Sequence, residues 1–246
     1  MNAVWATITR ELRAYFLSPL AYIVAALLLL VNGFVFWFIV SALNNPQFGG
    51  QIAPLGFFFN GLFFWLVLLF VAPALAMRLI SEERRSGTIE MLLTAPITEA
   101  QVVVSKFLSA WIFYAFLWLP TVTYALILEY YHEVDWGPVA ASYLGVLTVG
   151  ALFLSVGVLA TALTRSQLVA AAITFALLIP LFSFGFLEGL VNAELPKQVF
   201  SYLSLPQHME DFSRGIVETR HLAYHLSATV FFLFLASRAL AARKWR

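Results

Sequence analysis

Arg78 to Gln101 reads RLISEERRSGTIEMLLTAPITEAQ and is the only long polar interruption on the basic side of an otherwise apolar chain. It opens with a charge cluster, Arg78, Glu82, Glu83, Arg84 and Arg85, which Ser86-Gly87 ends, because glycine adopts backbone angles that other residues avoid. Thr88 to Leu93 is compatible with a short helix: Glu90 lies in its first turn, where a carboxylate suits the positive end of the helix dipole, and Pro96 disfavours helix at Ala95. Thr98 is a good N-cap for the next helix, Gln101 completes a capping box, and Ile97 and Val102 are placed to form a hydrophobic staple. The segment therefore predicts a helix, a break, a short helix, a second break and a long helix. Ile89, Leu92 and Leu93 give the short helix an apolar face, on a segment too short and too polar to enter a bilayer. Such a face calls for a protein partner.

Outward from this segment the chain is membrane protein throughout. Of its 246 residues 62% are hydrophobic and only 11% charged, with a mean hydropathy of +0.88, against roughly 25% charged residues in a soluble domain. A net charge of +1, with the basic residues in short clusters, excludes a polyanion binder. The absence of cysteine excludes disulfides and thiolate ligands. No polar segment is long enough to be a soluble domain, so an ATPase, redox or sugar-binding unit would be a separate chain.

Residues 1–17 have a helical pattern that gathers Trp5, Ile8, Leu12, Tyr15 and Phe16 on one face and leaves Arg10 and Arg13 off it, which predicts an interface helix lying along the membrane. Ser18-Pro19 fits an N-cap and first turn, and the apolar run that follows exceeds the roughly 7–15 residues of a signal-peptide core. Six spans are expected, at about 20–43, 55–76, 107–128, 138–163, 168–187 and 222–240, in a single all-α domain covering 1–246. The third helix is expected to begin at Glu99, before the membrane, as a stalk, with kinks at Pro120 and Pro180. Ala141/Gly145 and Gly157/Thr161 are small pairs that permit close helix contact in the fourth span.

Arg10, Arg13, Arg78, Arg84, Arg85, Lys106, Arg165, Arg238, Arg243, Lys244 and Arg246 fall on one side, and Lys197, Arg214 and Arg220 on the other. This asymmetry places both termini and the 78–101 segment in the cytoplasm. The loop from Glu188 to Arg220 is then external. Within it Val199, Tyr202 and Leu203, and then Met209, Phe212 and Ile216, recur at helical spacing, with Pro196 and Pro206 opening two short helices and Gly215, beside Arg214, closing the second. These helices either dip back into the bilayer, capping a pathway, or lie on the surface as a connector.

No catalytic constellation is present. His208, Glu210 and Asp211 form a polar cluster, and His221 and His225 share a helix face at a spacing found in metal sites, but all sit near a membrane interface, where histidine is ordinary; no metal or cofactor site is expected. There is no Gly-Lys dipeptide and hence no phosphate-binding P-loop. The apolar centres of the spans lack ionisable residues, which disfavours a gradient-driven carrier or channel. A membrane-embedded enzyme would need convergent acid, base or metal groups, and none is legible. Asn32, Asn60, Thr121, Thr123 and Ser183 are available to line a path but are expected to bond between helices, and the aromatic blocks 34–38, 57–59 and 63–65 could touch an apolar substrate but are expected to face lipid or anchor at the interface.

On these residues the chain resembles an ABC-2 type permease, the membrane subunit of an ABC exporter, and is most similar to the gliding-motility-associated branch. The resemblance rests on the six-span order, on ISEERRSGTIEMLLTAPI at 80–97, on FSRGIV at 212–217 and on the ending RKWR at 243–246. It implies that Glu82, Glu83, Arg84, Arg85, Gly87, Thr88, Ile89, Glu90, Leu92 and Leu93 belong to a coupling helix docked on a separate ABC ATPase subunit, which would bind ATP and Mg. It also implies that the interface helix, with Trp5, Ile8, Arg10, Leu12 and Arg13, makes a second contact, and that Tyr202, Leu203, Met209, Phe212, Arg214 and Gly215 lie in external or re-entrant helices. A second permease half, as homodimer or heterodimer, and a larger membrane partner with an external domain are further implications, as is a bacterial inner-membrane location. The substrate is not fixed by the resemblance.

Overall fold

The computed structural model describes residues 3–44, 54–86, 98–131, 133–187 and 194–242. Among these the chain is all-helical: α1 (Ala3–Leu17), α2 (Pro19–Leu43), α3 (Pro54–Asn60), α4 (Leu62–Ala76), α5 (Ser81–Ser86), α6 (Glu99–Trp118), a 3-10 turn (Leu119–Thr121), α7 (Val122–Tyr131), α8 (Trp136–Leu163), α9 (Gln167–Leu187), α10 (Glu194–Leu203), α11 (Leu205–Ser213) and α12 (Thr219–Ala241). Six stretches among the described residues are long and apolar enough to cross a membrane: Pro19–Leu43, Leu62–Glu83, Glu99–Tyr131, Trp136–Leu163, Gln167–Gly185 and Thr219–Ala241.

The core is built around α8. A helix that is apolar on all sides belongs inside a bundle, and 78% of the apolar stretch of α8 is buried, against 17% for those of α9 and α12. It packs on α4, α6, α9, α11 and α12. Three glycines admit three neighbours. A methyl group added at Gly145 would strike Met209 and Phe212 of α11, one at Gly150 would lie 2.2 Å from the Tyr114 ring of α6, and one at Gly157 would lie 2.3 Å from the Ala76 methyl of α4. Trp111 and Tyr114 complete the α6 contact by donating hydrogen bonds to the Leu147 and Val146 carbonyls at 3.0 and 3.1 Å.

Local signals account for several boundaries. Thr98 caps α6 through the full capping box with Gln101. Pro120 coincides with the 3-10 turn that joins α6 to α7, whereas Pro180 lies inside the continuous α9. Ser18 occupies the N-cap position of α2 but makes no side-chain cap; its hydroxyl instead accepts from Arg78 at 2.7 Å.

Three expectations need correction. The second span is not one helix over 55–76: Asn60-Gly61 breaks it, with Gly61 in extended geometry (ψ 159°). Asn60 there accepts from the Trp65 indole at 3.3 Å, and the α3 piece packs on α11. The aromatic blocks are not only lipid-facing, since Phe58, Phe59, Phe64 and Trp65 are buried and ring contacts such as Phe59 with Tyr143 tie α3 to α8. Of the five polar groups expected to bond between helices, Thr121 does reach another long helix, through the Tyr143 hydroxyl. Thr123 returns to the Pro120 carbonyl of the preceding 3-10 turn and Ser183 to a carbonyl of its own helix, because a hydroxyl in an apolar setting finds its nearest acceptor one turn back.

Overpacking a close helix contact costs about 1–3 kcal/mol. Gly150→Ala is therefore expected to lower the thermal unfolding midpoint of the detergent-solubilised protein clearly. Gly33→Ala, whose methyl meets only the Tyr124 hydroxyl at 3.4 Å, is expected to leave the midpoint near wild type.

Candidate functional site

At the end of the bundle where α4 stops, α1, α5 and α6 meet around one buried cation. The α1 stripe Ile8, Leu12 and Tyr15 turns inward. Tyr15 stacks on Phe113 of α6 at 4.9 Å and donates to the Leu75 carbonyl at the end of α4 at 2.7 Å, satisfying an acceptor that a helix terminus leaves open. Trp5, expected on the same face, is exposed. The interface helix is thus held by protein contacts with α6.

Lys106, two turns into α6, is 1% exposed. Its ammonium lies 3.1 Å from Glu11 Oε1 of α1 and 3.0 Å from Glu83 Oε2 of α5. Arg10 closes the other side, 2.9 Å from Glu11 and 3.0 Å from Glu83. Two carboxylates from different elements are thus held between two cations. The shares are unequal, because the Arg10 side chain is 57% exposed and exposed pairs contribute roughly 0–1 kcal/mol, whereas removing one partner of a buried pair costs about 3–5 kcal/mol. Arg78 and Glu82 pair one turn apart at 2.9 Å, on the adjacent surface.

This places Glu83 facing inward, toward the α1–α6 junction, and Glu82 toward solvent. Arg84 and Arg85 fall on α5, while Gly87, Thr88, Ile89, Glu90, Leu92 and Leu93 lie outside the described residues. Arg10 joins the cluster; Arg13 is exposed. Sequence reasoning counted Lys106 only as one more basic residue on its side. The available signal was an isolated lysine inside the apolar run VVVSKFLSA at 102–110, which needs a counter-charge.

The opposite end of the bundle holds the second polar cluster. Ser204 caps α11 by accepting from the Gln207 amide. Gly215, at φ +82°, ends it, with Gly215 N–H donating to Phe212 C=O and Ile216 N–H to Asp211 C=O, each at 2.9 Å, the crossed pair of a Schellman turn. Leu205, Met209 and Phe212 are fully buried. Gly145, which receives this face, lies about 14 Å along α8 from Trp136 at 1.5 Å per residue. The apolar face of α11 is thus packed well along α8 from its first turn. Tyr202 packs edge-on against Tyr224 at 6.0 Å, Leu203 is half-buried, and Arg214 pairs with Glu210 one turn back at the surface.

His208, His221 and His225 come together here, each about 1% exposed or less. His208 Nδ1 and His225 Nε2 share a hydrogen bond at 3.2 Å, and His225 Nδ1 lies 3.0 Å from Thr148 Oγ1 of α8. His221 instead meets Asp211 at 2.8 Å, although its ring stacks 4.0 Å from that of His208. His221 and His225, which share a helix face, therefore do not converge on one point. Burial, and after it the neighbouring His221 and His225, pull the His208 imidazole down to about 3, so it is uncharged at neutral pH. His225 is fully buried in the second turn of α12, near the end of the sixth span and outside its apolar centre.

The sequence profile described as ABC-2 family transporter protein matches residues 41–237, which takes in α3 to α11 and nearly all of α12. The chain belongs to that family. It is accordingly a multi-pass membrane transport component, not itself catalytic, of a kind that normally works with an ATPase subunit. No curated protein matches the chain as a relative.

Lys106→Met, which strands Glu11 and Glu83 without their buried cation, is expected to free α1 from α6. Limited trypsin digestion should then cut at Arg13 at least about tenfold faster than in wild type, the factor that corresponds to a loss of 1.4 kcal/mol. Arg10→Gln is expected to change the rate by less than about threefold.

Proposed function

We propose that this chain is the permease subunit of an ATP-driven exporter, and that the 82–93 segment couples a separate ATPase to the membrane helices. The observation that carries this reading is the Lys106 clamp. Glu83 lies on the α5 turn that enters the 87–97 segment, and the capped start of α6 receives the chain on leaving it. The clamp ties both flanks of that segment to each other and to α1. A displacement imposed on Ile89, Leu92 and Leu93 by a docked partner would pass through α5 and α6 together, and α6 packs directly on the central α8.

In this reading the aliphatic face supplies most of the docking affinity, since burying one such side chain is worth about 1.5–3 kcal/mol, and Arg84, Arg85 and Glu82 set the register. Glu83 transmits motion inward. Leu92→Asp is expected to abolish co-purification of the ATPase. Glu83→Gln should retain the ATPase but lose most of the permease-dependent stimulation of hydrolysis. Wild-type complex and stimulation with Leu92→Asp would overturn the proposal.

The basic asymmetry supports cytoplasmic termini, an inner-membrane location and an external face for α10 and α11; the residues at 80–97 and 212–217 support the gliding-motility-like branch. In this cysteine-free chain, a single cysteine at position 194 is expected to label from outside intact cells and one at position 86 only after permeabilisation. The exposed faces of α2, α9 and α12 suit lipid and a second permease half.

One observation favours a second reading, a gradient-driven carrier: the buried chain from His208 through His225 to Thr148. That reading requires the purified chain to transport under a proton gradient with no ATPase present. The exporter reading requires ATPase and nucleotide.

A further inference from the structure

We propose that Asp211, Glu218 and His221 form a divalent transition-metal site, of the zinc class, joining α11 to the first turn of α12. Asp211 Oδ2 lies 2.8 Å from His221 Nε2 and Glu218 Oε2 lies 3.7 Å from it, and the three donor atoms all fall within 4.8 Å of one another. An ion bound at about 2.0–2.2 Å from nitrogen and oxygen ligands separates them by little more than 3 Å, so small side-chain shifts suffice to surround it.

The backbone builds this arrangement. The Schellman turn at Gly215 reverses the chain directly after α11, and Glu218 follows as the N-cap residue of α12 with no side-chain capping bond. The Glu218 carboxylate is thereby directed to the same spot as Asp211. His221 comes from one turn further on and is 1% exposed, with no hydrogen-bond partner at Nδ1. The Asp211 and Glu218 side chains are 22% and 43% exposed, which opens the site to solvent ions. An imidazole with two carboxylates selects zinc, cobalt or manganese over magnesium and calcium, which prefer all-oxygen shells, and three protein ligands leave a position for water.

Arg220 is the competitor. Its guanidinium lies 2.8 Å from Glu218 Oε2 and must release it when an ion binds. The Tyr202 ring, whose centroid lies 6.0 Å from the Arg220 guanidinium carbon, offers an alternative resting place. Bound metal would fasten α11 to the start of α12, a role separate from the proposed coupling segment.

The test uses the full chain in lipid nanodiscs, purified through a tag without histidine and stripped with chelator. Cobalt is titrated by its visible absorption and zinc by calorimetry. One saturable ion per chain is expected. Asp211→Asn, whose amide can still hydrogen-bond His221, and Glu218→Gln, at a more exposed carboxylate, should each weaken binding at least about tenfold, and Arg220→Gln should tighten it. Absence of saturable binding to the wild-type chain, or binding unchanged in both carboxylate variants, would overturn the proposal.

Discussion

Close approach of other helices to α8 is the constraint on which the bundle depends. In a bilayer, water does not drive helices together, because lipid is as apolar as leucine, so association relies on contact area and on the few polar bonds that small residues allow. Gly145, Gly150 and Gly157 give α8 three such approaches at three levels, to α11, α6 and α4. The bonds from Trp111 and Tyr114 to mid-helix carbonyls exist only because α6 comes near enough at Gly150. With α8 enclosed, α2, α9 and α12 are left outward.

Two polar clusters then divide the labour at the two ends of this apolar core. At one end Lys106 binds α1, α5 and α6 with charges that would be unfavourable singly and are tolerable because each has a counter-charge within 3.1 Å. At the other, three buried histidines and Asp211 hold α11 against α12, and α12 against α8, with directional hydrogen bonds. Both clusters fasten elements that are not full spans. These shorter elements are thus attached by polar contacts as well as by apolar packing.

Residue chemistry also explains why the candidate site was only half legible. The segment at 78–101 declared itself by its polarity, by Gly87 and Pro96, and by the Thr98–Gln101 box, all features within a few positions of one another. The pairing of Glu11 with Lys106 did not, because they lie 95 residues apart: an isolated lysine in an apolar run calls for a counter-charge without saying which residue supplies it. His208 and His225, 17 residues apart, read as ordinary interfacial residues until α11 was seen folded back against the sixth span.

By itself the sequence determined the membrane class, the six apolar stretches, the caps at Thr98 and Gly215 and the pair of short helices before α12, since each is dictated by backbone hydrogen bonding and hydrophobicity acting over one or two turns. The tertiary structure alone decided which apolar side chains are core and which face outward. Phe58, Phe59, Phe64 and Trp65 are buried while Phe57 and Phe63 are exposed, a distinction without a sequence signature because lipid and protein interior are equally apolar. It alone decided that Asn60-Gly61 breaks the second span where α3 packs on α11, and that Glu83 turns inward to Lys106. Charge pairing depends on which helices become neighbours, and that is settled by the packing of whole helices around α8.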